Sequence, residues 1–244
     1  MPLLMPDTQT RSAESEIMDE PSVTPMEFVR ALREIRWVNR YLGGTAAILN
    51  ALQVLCETDG KPLRILDIGT GSADIPLALA KWGRATQRQI HIKAIDLHPL
   101  AVQEAKARVT AYPEITVETC DAFQLPYAPE SFDFVISSMF LHHCDDTQSV
   151  ALLQRMAQLA RRGVIINDLE RHPLAWLGIR IVSILTGKGS VFYNDSALSV
   201  LRGFKKSELN TYCKLAGLSG FEIQHRHPFR WLLIWQRPSN LNKL

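Results

Sequence analysis

The sequence predicts an α/β protein built on a doubly wound, mostly parallel, seven-stranded sheet. Short apolar runs alternate with segments of helical periodicity between residues 63 and 168, which is typical of βαβ units. The first run leads into a turn that contains Gly69 and Gly71. Two apolar runs near the C-terminus have no helix between them, and they predict antiparallel strands at one edge of the sheet.

The predicted elements follow this alternation along the chain. The strands are expected at residues 64–68, 90–95, 115–118, 132–137, 163–167, 221–225 and 229–235. The helices are expected at residues 25–38, 45–56, 73–81, 99–109, 147–160, 173–185 and 205–216, the first with Thr24 as its N-cap and Pro25 at its first position. Loops are expected at residues 59–62 and 187–190. The helix over residues 173–185 is too apolar for a surface helix, so it is core, the wall of an apolar pocket, or a membrane or partner surface.

The chain divides into a polar extension and one domain. Residues 1–24 contain three prolines and little apolar periodicity, so we expect a flexible arm. Residues 25–244 are expected to form a single domain. Within it, residues 25–62 form a helical cap, residues 63–168 the ligand-binding core, and residues 169–244 the helices and strands on the substrate side.

Composition excludes several classes of function. The 244 residues are 46% apolar and 21% charged, and a net charge of +2 gives no basic surplus for nucleic acid. Four widely spaced cysteines favour buried thiols in a reducing compartment over a disulfide or zinc framework. The N-terminus lacks the apolar core of a signal peptide, and no apolar run is long enough for a membrane span. We therefore expect a cytoplasmic protein without stable membrane insertion.

Acidic residues end three of the predicted strands. Asp67, Asp96 and Asp121 should meet at the carboxyl edge of the sheet, where open α/β folds bind their ligands. The carboxylate of Asp96 suits a ribose diol, because it can accept hydrogen bonds from two hydroxyls. Asp67 would repel a pyrophosphate but suits a cationic amine, which disfavours a dinucleotide dehydrogenase and leaves it as a third hypothesis.

Four stretches resemble successive motifs of the class I S-adenosylmethionine-dependent methyltransferases. They are LDIGTGSA at residues 66–73, AIDLHP at 94–99, CDAFQLP at 120–126 and SFDFVISSMFLHH at 131–143. The last stretch is most similar to the small-molecule branch that includes ubiquinone- and menaquinone-type enzymes. The resemblance covers about residues 36–237, and it implies the Rossmann-like fold of that family and S-adenosylmethionine as the cofactor.

The resemblance also implies roles for residues at the methionine end of the cofactor. Gly69, Thr70 and Gly71 would lie along the methionine part, and Asp67 would hold its amino group. The helical cap, with Trp37 and Tyr41, is expected to act as a lid. Arg40 is expected to meet the cofactor's carboxylate.

Other residues would bind the nucleoside. The resemblance implies that Asp96 binds the ribose hydroxyls and that Leu97 flanks the adenine. Asp121 would accept a hydrogen bond from the adenine amine, and Ala122 would offer its backbone N–H. Ser137 would lie near the reactive methyl group.

The acceptor is less defined by the sequence. His142 and His143 follow the fourth strand and are candidates for a base or for contacts with the substrate. Asp168 and His172 lack a third ligand, so no metal site is predicted, and Asp168 is expected to cap the next helix. The expected function is methyl transfer to a small, largely apolar molecule, at an oxygen or carbon of a phenolic, polyketide or quinone-type acceptor. The alternative is a catalytically silent binding or partner subunit. The sequence does not predict the oligomeric state.

Overall fold

A seven-stranded sheet forms the centre of the protein in this computed structural model, which describes residues 6–20, 22–56, 60–186 and 190–238. Its strands are β1 (Leu63–Ile68), β2 (Ile90–Asp96), β3 (Ile115–Thr119), β4 (Phe132–Ser138), β5 (Ala160–Leu169), β6 (Glu222–Arg226) and β7 (Arg230–Gln236). The strand order is β3-β2-β1-β4-β5-β7-β6; β1 to β5 pair in parallel, and β7 is antiparallel to both of its neighbours, β5 and β6. The predicted fold class is confirmed.

Helices cover both faces of this sheet. They are α1 (Pro25–Tyr41), α2 (Gly44–Leu55), α3 (Asp74–Ala85), α4 (Pro99–Val109), α5 (Asp146–Leu159), α6 (Pro173–Thr186), α7 (Val191–Arg202) and α8 (Lys206–Leu215). Two short 3₁₀ helices, Ile17–Asp19 and Leu141–His143, complete the elements. No helix in the described ranges is both long enough and apolar enough to cross a membrane.

Alternating side chains of β1 build two cores. Leu63 and Ile65 pack into a cluster with residues of α2 and α3, whereas Leu66 and Ile68 pack into a cluster with residues of α5 and α8. Because successive strand residues face opposite sides, a sheet covered on both faces requires apolar residues at both kinds of position in a strand. The parallel order of β1 to β5 places all their carboxyl ends at one edge.

Helix α7 is absent from the sequence prediction. Ser190 caps it by accepting a hydrogen bond from the Tyr193 amide at 3.1 Å. Its buried face carries Asp195, Ser196 and Ser199 among apolar residues such as Val191 and Val200, so polar side chains interrupt the apolar stripe by which helical periodicity is recognised. Residues 187–189 of the predicted loop lie outside the described residues, as do residues 57–59.

The N-terminal segment differs from the flexible arm that its composition suggests. Over residues 6–20 it lies against the domain, and Thr8 and Glu16 are buried. Arg171 donates to the carbonyls of Thr8 and Gln9, each at 3.1 Å. Arg11 reaches back into the domain and donates to the carbonyl of His142 at 2.8 Å. Polar contacts with the backbone hold this segment, and an apolar pattern cannot reveal them.

Candidate active site

The turn after β1 is tied to β2 and requires glycine. Gly69 and Gly71 have positive φ angles of 71° and 53°. A Cβ atom on Gly69 would lie 2.7 Å from the ring of Phe140, so packing also excludes a side chain there. The amides of Gly69 and Thr70 donate to the carbonyl of Ile95 at 3.0 and 2.9 Å. The turn is therefore fixed before any ligand binds.

The three predicted acids do lie at neighbouring ends of β1, β2 and β3. Asp67 is only 2% exposed. Asp96 accepts hydrogen bonds from the amides of Gly71 at 2.8 Å and His98 at 2.9 Å, which shapes both loops. Asp121 accepts from an amide of the loop that follows β3. The expected cluster of carboxylates at this edge is therefore present.

Burial changes the protonation of these acids. It raises the pKa of Asp67 to about 8, and the nearby carboxylates of Asp74 and Asp96 add to the rise. Burial also raises the pKa of Asp96 and of Asp74, although the guanidinium groups of Arg108 and Arg36 oppose the rise at Asp74. A cationic ligand would relieve the repulsion between these groups, whereas an anionic ligand would increase it.

Unpaired oxygens beside the turn indicate a polar ligand. Among the residues that the structure describes, Asp67 Oδ2, Thr70 Oγ1 and Asp74 Oδ2 are buried without a hydrogen-bond partner. Leaving such a group unpaired costs about 1–3 kcal/mol, so native proteins usually satisfy it. Two carboxylates and a hydroxyl suit the ammonium group of an amino acid.

Helix α1 covers this turn with a different face from the predicted one. The ring of Phe28 stacks on His98 at 3.8 Å between centroids, and Leu32 lies 3.6 Å from the position of a Cβ atom on Gly71. The Arg40 side chain is exposed and lies over the ring of Tyr41 at 5.6 Å, so its contact with the cofactor's carboxylate stays a prediction. The face of α1 that covers the turn is the one that carries Phe28 and Leu32.

The remaining predicted residues border the same edge. Leu97 is 66% exposed just beyond β2, and Ala122 is buried in the loop after β3. The Ser137 hydroxyl donates to the carbonyl of Ile68 at 2.9 Å and so joins β4 to β1. Its hydroxyl thus has a structural partner in addition to any ligand.

His142 forms a buried pair with Asp168. The Nδ1 atom of His142 lies 2.7 Å from Asp168 Oδ1, and the Asp168 Oδ2 atom accepts from the His142 amide at 3.2 Å. Burial alone would raise the pKa of Asp168, but the imidazole of His142 holds it below the usual value. The ionised carboxylate favours a proton on Nδ1 and leaves Nε2 for other chemistry. Asp168 therefore orients a histidine instead of capping α6, where the His172 ring accepts the amide of Leu174 at 3.1 Å.

An apolar cavity opens beside the two neighbouring histidines, His142 and His143 (the histidine pair). Its volume is about 310 Å³. Its walls come mainly from α1, α6 and α7, through Ala31, Ile35, Val38, Ala175, Ile179, Val182, Val191 and Val200. Its polar groups include those of Glu16, His142, His143 and Arg230. The cavity can hold a small apolar molecule that presents a polar group to the histidines.

Helix α6 is apolar on two faces. Its composition alone leaves open whether this helix is core, the wall of a pocket, or a membrane or partner surface. Ile179 and Val182 line the cavity, whereas Leu174, Ile181 and Ile184 are exposed. The helix is therefore a pocket wall on one side and an apolar surface on the other.

Residues 65–163 match the sequence profile of a family described as "Methyltransferase domain". This range contains the glycine turn, all three acids and the histidine pair. Residues 65–163 are therefore a methyltransferase domain. S-adenosylmethionine is bound in a solved methyltransferase of the same fold, which confirms the cofactor predicted from the sequence.

Curated relatives match the chain over part of its length. A demethylmenaquinone methyltransferase from Bacillus velezensis is 30% identical over 131 residues, which is 53% of each chain. An ajmaline N-methyltransferase from Rauvolfia serpentina is 27% identical over 140 residues, covering 53% of this chain and 46% of the relative. The chain thus spans about half the length of the curated relatives that it matches.

Solved structures extend the likeness of the fold to most of the chain. A methyltransferase from Aquifex aeolicus superimposes with a TM-score of 0.59 at 15% identity, covering 88% of this chain and 99% of that one. A magnesium protoporphyrin IX methyltransferase from Synechocystis has a TM-score of 0.57 at 18% identity, with 90% and 100% covered. At such identities the likeness concerns the fold.

Three charged residues of the methyltransferase site were not found from the sequence. Glu16 comes from the segment expected to be flexible, and it lies 3.6 Å from His142 Nε2. Arg230 is buried at the start of β7, where it donates to the carbonyl of Leu42 at 2.9 Å and to Met139 Sδ at 3.0 Å. Burial lowers the pKa of Arg230 to about 10. Arg36 of α1 places a positive charge near Asp74, one of the buried acids beside the glycine turn. No local motif marks these residues, because each acts through a partner distant in sequence.

Proposed function

We propose that this protein transfers a methyl group from S-adenosylmethionine to a small, largely apolar acceptor. The acceptor would be a phenolic, polyketide or quinone-type molecule, methylated at oxygen or carbon. The apolar cavity of about 310 Å³ with histidines at its wall carries the proposal. The relative that acts on demethylmenaquinone supports a quinone-type acceptor, and the ajmaline relative supports a small molecule more generally.

The cofactor would lie along the carboxyl edge of the sheet. Its amino group would pair with Asp67, whose Oδ2 atom has no hydrogen-bond partner within the described ranges. Gly69, Thr70 and Gly71 would contact the methionine part, and Asp96 would accept from the ribose hydroxyls. The adenine would lie between Leu97 and the Asp121–Ala122 loop, with the methyl group near Ser137.

The acceptor would lie in the cavity with its polar group at the histidines. Helix α1 spans both regions, because Leu32 faces the glycine turn while Ala31 and Ile35 line the cavity. Displacement of a sulfonium leaving group mainly requires alignment, and a closed apolar pocket supplies it while excluding water. His142 and His143 would contact the acceptor's hydroxyl or enol oxygen.

Direct assay of methyl transfer tests this function. The protein is incubated with S-adenosylmethionine carrying a labelled methyl group and with separate panels of phenols, β-diketones, hydroquinones and amines. Transfer to at least one of the first three panels is expected. Cofactor binding without transfer to any panel would instead support a silent binding subunit, and transfer confined to amines would contradict the proposed acceptor class.

A larger side chain in the cavity should weaken binding of the acceptor and leave binding of the cofactor unchanged. Ile179→Trp, on the inner face of α6, is expected to raise the KM of the acceptor about 10- to 200-fold, because the larger ring occupies acceptor volume. The Kd of S-adenosylmethionine should stay within twofold. Ile181→Trp is the matched control on the exposed face of the same helix and should change neither constant. Equal acceptor kinetics in both variants would place the acceptor outside the cavity.

Cofactor binding should release a proton from Asp67. The carboxyl group, whose pKa is about 8, must ionise to pair with the ligand's ammonium, which stays protonated below about pH 7. The affinity for S-adenosylmethionine should therefore rise with pH between about pH 5.5 and 7, by up to tenfold per unit. Calorimetry in buffers of different ionisation enthalpy counts the released protons. The Asp67→Asn variant should show no release, and an absence of release from the parent protein would contradict the role of Asp67.

A further inference from the structure

Three potential metal ligands meet at the wall of the cavity. Glu16 Oε1 lies 3.6 Å from His142 Nε2, and Glu16 Oε2 lies 3.8 Å from His143 Nε2. One ligand atom from each of the three residues lies within 4.8 Å of the other two. They come from two distant parts of the chain, the N-terminal segment and the 3₁₀ helix after β4.

The spacing of these atoms fits an ion better than direct hydrogen bonds. The distances of 3.6 and 3.8 Å exceed those of N–H···O hydrogen bonds. Ligand atoms bound at about 2.0–2.1 Å in a tetrahedral arrangement lie about 3.4 Å apart. Each imidazole is near this distance from one oxygen of the Glu16 carboxylate, so a small shift would let the three groups share an ion.

Supporting contacts orient two of the ligands. The hydrogen bond of 2.7 Å from His142 Nδ1 to Asp168 turns the Nε2 lone pair towards Glu16. A second carboxylate behind a histidine is the usual support of metal-binding imidazoles. The Ser199 hydroxyl donates to Glu16 Oε1 at 2.7 Å and fixes that carboxylate.

The backbone around the histidines is also held in place. Arg202 donates to the carbonyl of His142 at 3.0 Å and to that of His143 at 2.8 Å. Arg11 donates to the His142 carbonyl as well. The site therefore needs little rearrangement to bind an ion, which favours affinity.

We propose that Glu16, His142 and His143 bind a divalent transition-metal ion, with Zn²⁺ as the best match, at the wall of the acceptor cavity. Two imidazoles and one carboxylate are a donor set that suits Zn²⁺ and leaves a fourth position open. That position faces the cavity, because all three ligands line it. The ion would bind an oxygen of the acceptor there, and this last step rests on the proposed function.

Metal binding is tested without any acceptor. The full-length protein is treated with a chelator, dialysed and titrated with ZnCl₂ alone by calorimetry, and CoCl₂ reports the coordination through its visible spectrum. One equivalent of Zn²⁺ should bind with a Kd of micromolar or below. Glu16→Ala and His143→Ala should weaken binding at least 100-fold, whereas Glu14→Ala, an exposed acid in the same segment, should bind like the parent.

Two results would overturn the metal site. One is substoichiometric binding by the parent protein, and the other is equal binding by the parent and Glu16→Ala. Either would mean that Glu16 is an acidic partner of the histidines only. The thermal midpoint and the Kd for S-adenosylmethionine, measured with chelator present, show that each variant is folded. Methyl transfer by the metal-free parent would leave the proposed function intact while showing that no ion is needed to bind the acceptor's oxygen.

Discussion

Asp96→Ala is expected to weaken the binding of S-adenosylmethionine about 100-fold or more. Two hydrogen bonds from the ribose to a charged acceptor are worth about 1.5–3 kcal/mol each, and 1.4 kcal/mol corresponds to a factor of ten. The alanine variant also loses the contacts to the amides of Gly71 and His98, so the glycine turn loses its tie to the loop after β2. Calorimetric titration with the cofactor measures the loss.

Two further variants distinguish the loss of contacts with the ribose from the loss of the hydrogen bonds that shape the glycine turn. Asp96→Asn keeps an oxygen that can accept from the Gly71 amide but lacks the charge. Its affinity for S-adenosylmethionine should therefore fall by only about tenfold. Glu118→Ala removes an exposed acid from the neighbouring strand β3 and should bind the cofactor like the parent. If Asp96→Ala binds within threefold of the parent, the ribose does not lie at this strand end.

The cofactor half of the site is predictable from the sequence because its signals are local. A buried parallel strand needs a run of apolar residues, and the acid and glycines that follow it lie next to each other in the chain. The right-handed crossovers then bring Asp67, Asp96 and Asp121 to one edge without further information. The antiparallel pairing of the last two strands follows from the absence of a helix between them, whereas these patterns do not predict the order of the strands in the sheet.

The acceptor half depends on contacts between remote residues. Asp168 meets His142 because β5 pairs with β4, and Glu16 reaches the histidines because distant residues, Ser199 and Asp195 of α7 among them, hold its segment. Polar residues on the buried face of α7 also interrupt its apolar periodicity, so the sequence pattern does not predict that helix. A segment with few apolar residues can therefore be well ordered when buried polar groups bind its backbone.

Arg171→Met is expected to lower the free energy of unfolding by about 3 kcal/mol. The guanidinium is fully buried and pairs with Glu208 at 2.6 and 3.1 Å. It also donates to the carbonyls of Thr8, Gln9 and Gly203. Removing one member of a buried pair costs about 3–5 kcal/mol, and the lower value applies because Glu208 remains 27% exposed to water. Urea unfolding followed by circular dichroism measures the change.

The same substitution should release the N-terminal segment before the domain unfolds. With Arg171 gone, the carbonyls of Thr8 and Gln9 lose their buried donor, so limited trypsin digestion should cut after Arg11 faster than in the parent under native conditions. Arg33→Met, at an exposed position of α1, should change neither stability by more than about 0.5 kcal/mol nor cleavage at Arg11. The double variant Arg171→Met/Glu208→Met removes the carboxylate that has lost its guanidinium partner, but it also removes the hydrogen bond from the Lys205 amide to Glu208, so we expect it to be no more stable than Arg171→Met. Release of the segment would also move Glu16 away from the histidines. If Arg171→Met no longer binds Zn²⁺ under conditions in which its domain is still folded, the contacts of Arg171 with the N-terminal segment are needed for the metal site. A segment that stays resistant to trypsin would show that Arg11 and Asp195 hold it without Arg171.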